Sequence, residues 1–377
     1  MAYFRNRTVN LLNLHYGMHA VALSGGAAFF SVYLLKAGVP VESVLLSLAA
    51  ILAGRFVLRP VVIPLGVRFG MRALVLSGTV LNALQYPLLA EVGGVGPALF
   101  ALCAVSALGE TIYWSSYHAY FAALGDAEHR GHQTGMREAI AAGVGIVSPV
   151  ATSFALVAFG PRAAFGATAV VLVLSAVPLL FTPDVKVARQ APGALRAALP
   201  GVKLLAADGW IATGFYFVWQ LVLFLTLGAD FVAFGFALAL AALAGAIGGL
   251  LLGRHIDAGH GGRAAWIGCG AIAAVVALRA FVPGYPVLAV AAAAAGSLAA
   301  CLYIPVLMTA VYNQAQRAPC TLRFHVASEG GWDIGGASGL LAAALLVHIG
   351  QPLAYGVLLG LVGAAGALVQ LRRYYRS

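Results

Sequence analysis

The segment TPDVKVARQAPGALRAALPGVK, Thr182–Lys203, decides how this chain is read. It carries Pro183, Asp184, Lys186, Arg189, Gln190, Pro192, Gly193, Arg196 and Pro200. Helix breakers mixed with charges at this density mark a connection between folded units. Outward from it, apolar stretches lie near 10–35, 41–65, 73–91, 96–122, 135–160 and 163–182 on one side. On the other they lie near 205–229, 231–253, 264–282, 286–316, 324–348 and 351–371. Each is long enough to cross a bilayer as a helix, which takes about 20 residues. The expectation is an all-α membrane protein with 12 transmembrane helices in two pseudo-symmetric six-helix bundles. Residues 1–182 form the first bundle, 183–204 a cytoplasmic linker and 205–377 the second bundle.

Composition agrees with this division. Of the 377 residues, 62% are apolar and 9% charged, against about 25% charged in soluble domains. A water-soluble enzyme of this length would leave much of that apolar surface in water, so the soluble classes are excluded. Arg5 and Arg7 precede an apolar stretch, as in a secretory leader. That stretch is too long for a leader core, holds His15, Tyr16 and His19 and lacks a cleavage site, so it reads as a retained first helix.

Lys and Arg number 22 and Asp and Glu 12, a net charge of +10. With the N-terminus inside, the basic residues of the linker, of the termini and of alternate loops, including Arg68, Arg72, Arg130, Arg254, Arg263, Arg317 and Arg323, are cytoplasmic. Only Lys36, Arg162 and Arg279 fall outside. This asymmetry predicts a multi-pass protein of the cytoplasmic (inner) membrane with both termini in the cytoplasm. The positive charge is then topogenic, and nucleic acid is not a partner. Cys103, Cys269, Cys301 and Cys320 form no C-x-x-C pair and read as packing residues.

The loops after the second span of each half carry related sequences. The first reads Leu65-Gly66-Val67-Arg68-Phe69-Gly70-Met71-Arg72, and the second Gly253-Arg254-His255-Ile256-Asp257-Ala258-Gly259, followed by Gly261 and Arg263. Both resemble the Gly-x-Leu-Ala-Asp-Arg-x-Gly-Arg loop of the major facilitator superfamily. The first copy keeps Leu65, Arg68, Gly70 and Arg72 but has Val67 at the Asp position. The second keeps Gly253 and Asp257 and is one residue longer before Arg263. In the fifth span, Gly145-Ile146-Val147-Ser148-Pro149 is similar to part of the Gly-x-x-x-Gly-Pro motif of proton antiporters in that family. The basic residue those members carry in the fourth span is absent from Val105–Gly109. The resemblance implies a secondary transporter working by alternating access, its cavity lined chiefly by the first, fourth, seventh and tenth helices. It also implies gating locks at Arg68 and Asp257.

Ionisable groups inside membrane spans tend to face a bundle interior or a wet cavity and to serve function. In the eleventh span His325, Glu329, Trp332 and Asp333 are spaced by steps of three and four, which places them on one face. A shallow-to-deep ladder of titratable groups suits proton movement, with Glu329 and Asp333 as carriers and His325 as relay. Glu110, near the middle of the fourth span, is a second proton-site candidate. Around it lie Tyr113, Trp114, Tyr117 and His118. These, with His15 and His19 four apart in the first span, Phe217 and Gln220 in the seventh, Tyr303 in the tenth and Trp332, are the candidate substrate contacts. Each also reads as a polar or aromatic packing residue. Arg55 is expected to pair with a carboxylate, Arg59 to snorkel to the interface, and Arg137 with Glu138 to form a cytoplasmic lock.

The function expected is a proton-coupled transporter of a small organic solute, leaning to export or antiport, acting as a monomer among membrane lipids without a cofactor. A transition-metal carrier using His15, His19, His325, Glu329 and Asp333 is the alternative, since these supply N and O ligands. A membrane-embedded enzyme ranks last, because neither H-E-x-x-H nor a nucleophile elbow occurs, and no phosphate-cradling motif supports ATP hydrolysis.

Overall fold

Within a bilayer every backbone N–H and C=O has to find its partner inside the same segment, so apolar runs of this length become helices. The computed structural model describes residues 6–124, 130–256 and 261–376, with the side chains of 130–139 and 250–256 excepted. Among the described residues twelve helices are long and apolar enough to cross a membrane. The first six are α1 (Arg7–Lys36), α2 (Val41–Phe69), α3 (Met71–Ala90), α4 (Pro97–Leu124), α5 (Arg130–Ala158) and α6 (Gly160–Phe181). The second six are α7 (Ala194–Thr226), α8 (Phe231–Ile256), α9 (Gly261–Arg279), α10 (Pro286–Arg317), α11 (Thr321–His348) and α12 (Leu353–Arg376). Large apolar side chains such as Val57, Phe100, Phe281 and Val287 point outward from the helices, as a lipid-facing surface requires.

The two halves repeat one packing plan. In the first, α3 lies on α4 and α6, α2 on α4, and α1 on α5 and α6; adding six to each label gives the pairs of the second half. Two cysteines mark the repeat at atomic level. Cys103 of α4 donates its Sγ–H to the Ser47 carbonyl of α2, and Cys301 of α10 donates to the Gly245 carbonyl of α8, in both cases 56 residues away. Between the halves α2 packs on α11 and α5 on α8, and the same pseudo-twofold exchanges these two pairs.

α1 and α7 each contain one widened, π-helical stretch, Ala22–Ala27 and Thr213–Val218. Such turns leave carbonyls unpaired, and here the third helix of each half supplies the donor. Tyr86 of α3 bonds the Ala22 carbonyl at 3.0 Å, and Arg279 of α9 bonds the Phe215 carbonyl at 2.7 Å. Arg279, the last residue of α9, is thereby buried rather than set in water. It is 3% exposed, and its guanidinium carbon lies 4.4 Å from the ring centroids of both Phe215 and Trp219.

The linker is shorter than its composition suggests, because α7 begins at Ala194. Ala194, Ala198, Gly201 and Leu204 are buried, and Gly201 packs against Phe324 and Ser328 of α11. That burial outweighs the helix-breaking tendency of Pro200. The remaining strand of linker crosses the face that carries both termini. Asp184 sits over Gly70, whose φ of 85° needs a glycine. Its Oδ1 accepts the Arg72 N–H at 3.2 Å, while Arg323 of α11 donates to the Arg189 carbonyl at 2.7 Å.

Candidate functional site

α2 and α11 run antiparallel, and each carries two charges spaced one helical turn apart. Arg55 and Arg59 on α2 therefore meet Asp333 and Glu329 on α11 as rungs of a ladder. Arg55 Nε lies 3.0 Å from Asp333 Oδ1, and Arg59 Nη1 lies 2.7 Å from Glu329 Oε2. Arg59 Nε also donates to Asp333 Oδ2. From α4, Glu110 takes Arg55 Nη1 at 2.5 Å, and the Ser115 hydroxyl takes Arg59 Nη1 at 2.6 Å. Two guanidiniums thus serve three carboxylates, and the ladder joins the two bundles near the middle of both helices.

Close backbone approach makes this geometry possible. A Cβ at Gly335 would overlap the Ala206 carbonyl of α7, and one at Gly336 would meet Leu52 of α2. α11 is thereby drawn between α7 and α2, and Asp333 becomes fully buried. Taking charges out of water costs several kcal/mol per ion unless they are paired, so the pairing is obligatory here. Arg59 does not snorkel: it is 2% exposed because two carboxylates and a hydroxyl hold it inside. Glu110 is likewise not the isolated carboxylate of the sequence, since Arg55 neutralises it.

Beside the ladder, between the bundles, lies a cavity of about 490 Å³. Trp114, Phe217 and Trp332 supply aromatic wall, Leu48, Ile51 and Leu205 aliphatic wall, and Arg55, Glu110, Asp208, Glu329, His118 and His325 the ionisable groups. Gln220 and Ser31 face one another across the bundles at 3.5 Å. The bundles touch on both sides of the cavity. Toward the far face, Phe29 of α1 packs on Phe234 of α8 with centroids 5.4 Å apart, and Lys36 donates to the Ala229 carbonyl at 3.1 Å. Toward the face of the termini, His118 Nδ1 lies 3.4 Å from the Tyr312 hydroxyl, and the His118 and His325 rings stack at 5.9 Å.

Other expected site residues lie elsewhere. His15, His19, Tyr113 and Tyr117 are packed within the first bundle and do not line the cavity. His15 Nδ1–H donates to the Ser175 carbonyl at 2.7 Å, which leaves Nε2 to accept from the Tyr113 hydroxyl at 2.9 Å. His19 stacks on Tyr113 at 4.2 Å. With both its nitrogens occupied, His15 has no lone pair to offer a metal. Among the described residues no three His, Cys, Asp or Glu side chains come together as a metal site. Tyr303 reaches the cavity only through Asp208, to whose Oδ1 it donates at 2.9 Å.

Arg68 is exposed over the Phe69 ring. The carboxylate absent at Val67 is supplied instead by Asp184 of the linker. Burial raises the pKa of Asp184, but the Lys186 ammonium at 2.8 Å and the Arg72 N–H outweigh it and leave the group below its ordinary value. Asp257 and the side chains of Arg137 and Glu138 lie outside the described residues. Sequence reasoning missed Asp208, because the span boundary placed near 205 left it at a supposed water interface. The earlier helix start puts it against the cavity, held by Tyr303 and by Trp332 Nε1–H at 3.1 Å.

The sequence model of the Major Facilitator Superfamily matches residues 16–227. No match was found among curated proteins. Solved structures are similar over nearly the whole chain. A POT family transporter in complex with a thioalcohol-conjugated peptide superposes with a TM-score of 0.72 at 12% identity, covering 96% of this chain and 95% of that one. The human organic anion transporter MFSD10 (TETRAN) gives 0.70 at 15% identity, covering 98% and 99%. An auto-inhibited POT family peptide transporter gives 0.67 at 12% identity, covering 98% and 96%. At such identities the likeness is one of fold.

Proposed function

The chain belongs to the major facilitator superfamily of secondary transporters, and on that footing we propose that it moves a small organic solute by alternating access, coupled to protons. One observation carries the proposal: Arg55 and Arg59 of the first bundle hold Asp333 and Glu329 of the second beside the cavity. A proton arriving on either carboxylate cancels one charge of the ladder and weakens the grip of one bundle on the other. The balance between inward- and outward-facing states then shifts by the difference in proton affinity between them. Each unit of pH difference across the membrane supplies about 1.4 kcal/mol to that shift. His118 and His325, stacked between the ladder and the face of the termini, form the proton route on that side.

Export is the direction proposed. Gly145 and Pro149 of the antiporter-like stretch support it: they take α8 into close contact, Gly145 against Ala242 and the Pro149 carbonyl against Gly235. The distribution of Arg and Lys supports termini in the cytoplasm. The test is a counterflow and pH-gradient screen in proteoliposomes of defined orientation, with Asp333→Asn and Glu329→Gln alongside the wild type. Flux of an identified solute should follow the proton gradient and be lost in both variants. Gradient-driven flux that persists unchanged in the double variant would refute the proton assignment.

A further inference from the structure

The proposed function leaves the chemical class of the solute open, and the cavity wall narrows it. Asp208 is the wall carboxylate that has no cation beside it: Tyr303 and Trp332, both neutral donors, hold its two oxygens. On α11, one turn from Trp332, Glu329 gives Oε2 to Arg59, while its Oε1 is buried without a hydrogen-bond partner, in a residue 9% exposed. The wall also carries Arg55, but that guanidinium is already shared between Glu110 and Asp333. An arriving anion would find the Arg55 guanidinium engaged and two carboxylates, Asp208 and Glu329, in the wall. An arriving ammonium would find two acceptor groups, one of them unsatisfied in its absence.

The rest of the wall is aromatic and aliphatic, and aromatic faces attract cations rather than anions. Trp114 and Phe217 line the cavity as aromatic wall for an apolar body, while the Trp332 ring already carries the Arg55 guanidinium, 5.3 Å from its centroid. A cavity of about 490 Å³ falls within the ordinary size of a small-molecule site.

Resting on the transporter reading above, we propose that the solute is an organic cation, a protonated amine carried on an aromatic or branched apolar body, with Asp208 and Glu329 as its anchors. Solute and proton then share Glu329. Loading of the amine discourages protonation there and protonation discourages loading, which is the competition an antiporter needs. Charge-assisted hydrogen bonds between ammonium and carboxylate are among the stronger polar contacts available to such a site.

The experiment uses purified full-length protein and one indole body carrying four charges: tryptamine, tryptophan, indole-3-propionate and neutral 3-ethylindole. A parallel panel of aliphatic and benzylic primary and secondary amines is run with them. Binding is read by thermal shift and calorimetry at pH 7.5. Amines should bind, tryptamine well ahead of its zwitterionic and anionic counterparts. Asp208→Asn and Glu329→Gln should each weaken amine binding by about 10- to 100-fold. A cooperative melt in the absence of ligand shows that each variant is folded. A preference for indole-3-propionate or tryptophan, amine binding indifferent to both substitutions, or no binding by any amine in the panel would overturn the assignment. Flux in proteoliposomes separates the two levels of the argument. Gradient-driven transport of an anion would sink the cation site and leave the transporter standing, whereas amine binding with no flux of any solute would do the reverse.

Discussion

Replacing Asp333 by Asn tests the ladder with the least change of shape. Asp333 is fully buried and lies against both guanidiniums of α2, so the substitution removes a charge at the point where the bundles are joined. Asn offers one acceptor oxygen, and its NH2 group faces donors. Removing one partner of a buried ion pair costs about 3–5 kcal/mol. Glu110 and Glu329 still give each guanidinium one carboxylate, so the lower end applies, about 3 kcal/mol. At 1.4 kcal/mol per tenfold, the state in which the ladder is closed loses a factor of about 100 relative to one in which it is open. A minor open state of about 1% would rise to about half. Spin labels at the exposed positions Phe69 and Arg317, one on each bundle at the face of the termini, report this as a second, longer distance. The four native cysteines are first replaced by serine or alanine. A distance distribution identical to wild type, with flux also unchanged, would show that the ladder does not hold the bundles together.

Three further outcomes follow from particular contacts. Gly335→Val drives a branched side chain into the Ala206 carbonyl and should destabilise the protein by about 1–3 kcal/mol; a melting temperature in detergent equal to that of wild type would argue against the close α7–α11 packing. Arg279→Met leaves the Phe215 carbonyl of the widened α7 turn without its donor, a loss of about 1–3 kcal/mol that should appear as a lower melting temperature, and an unshifted melt would mean the turn does not depend on that bond. Asp184 has a folded pKa below its unfolded value of about 3.9. Its contribution is therefore complete above that value and is lost as pH falls through the lower folded pKa. The difference in melting temperature between wild type and Asp184→Asn should be constant near neutrality and shrink below about pH 4, and a difference independent of pH down to 3 would contradict the docking of the linker carboxylate on Arg72.

The span count and the placing of charges at mid-span could be read from the chain, because they reflect a one-dimensional preference of each segment for lipid or water. His325, Glu329 and Asp333 could be put on one face from helical periodicity alone. Partners could not. Arg59 and Glu329 are 270 residues apart, Arg55 and Glu110 55 apart, and no local rule says which charge meets which. Arg59 read as a snorkelling residue because its depth was judged along α2, whereas its surroundings are set by α4 and α11. His15 and His19 read as cavity residues because helical spacing gives a face without saying what covers it, and Tyr113 with the Ser175 carbonyl covers theirs. Asp208 was hidden by a boundary drawn on composition, since Pro200 and Lys203 outweigh burial in a sequence and not in a packed α7–α11 pair. What the chain determines alone is therefore which segments enter the membrane and which charges go with them. The tertiary packing decides which of those charges neutralise one another and which group, Asp208, is left in the cavity wall without a cation, because pairing depends on distances of a few ångströms between helices far apart in sequence.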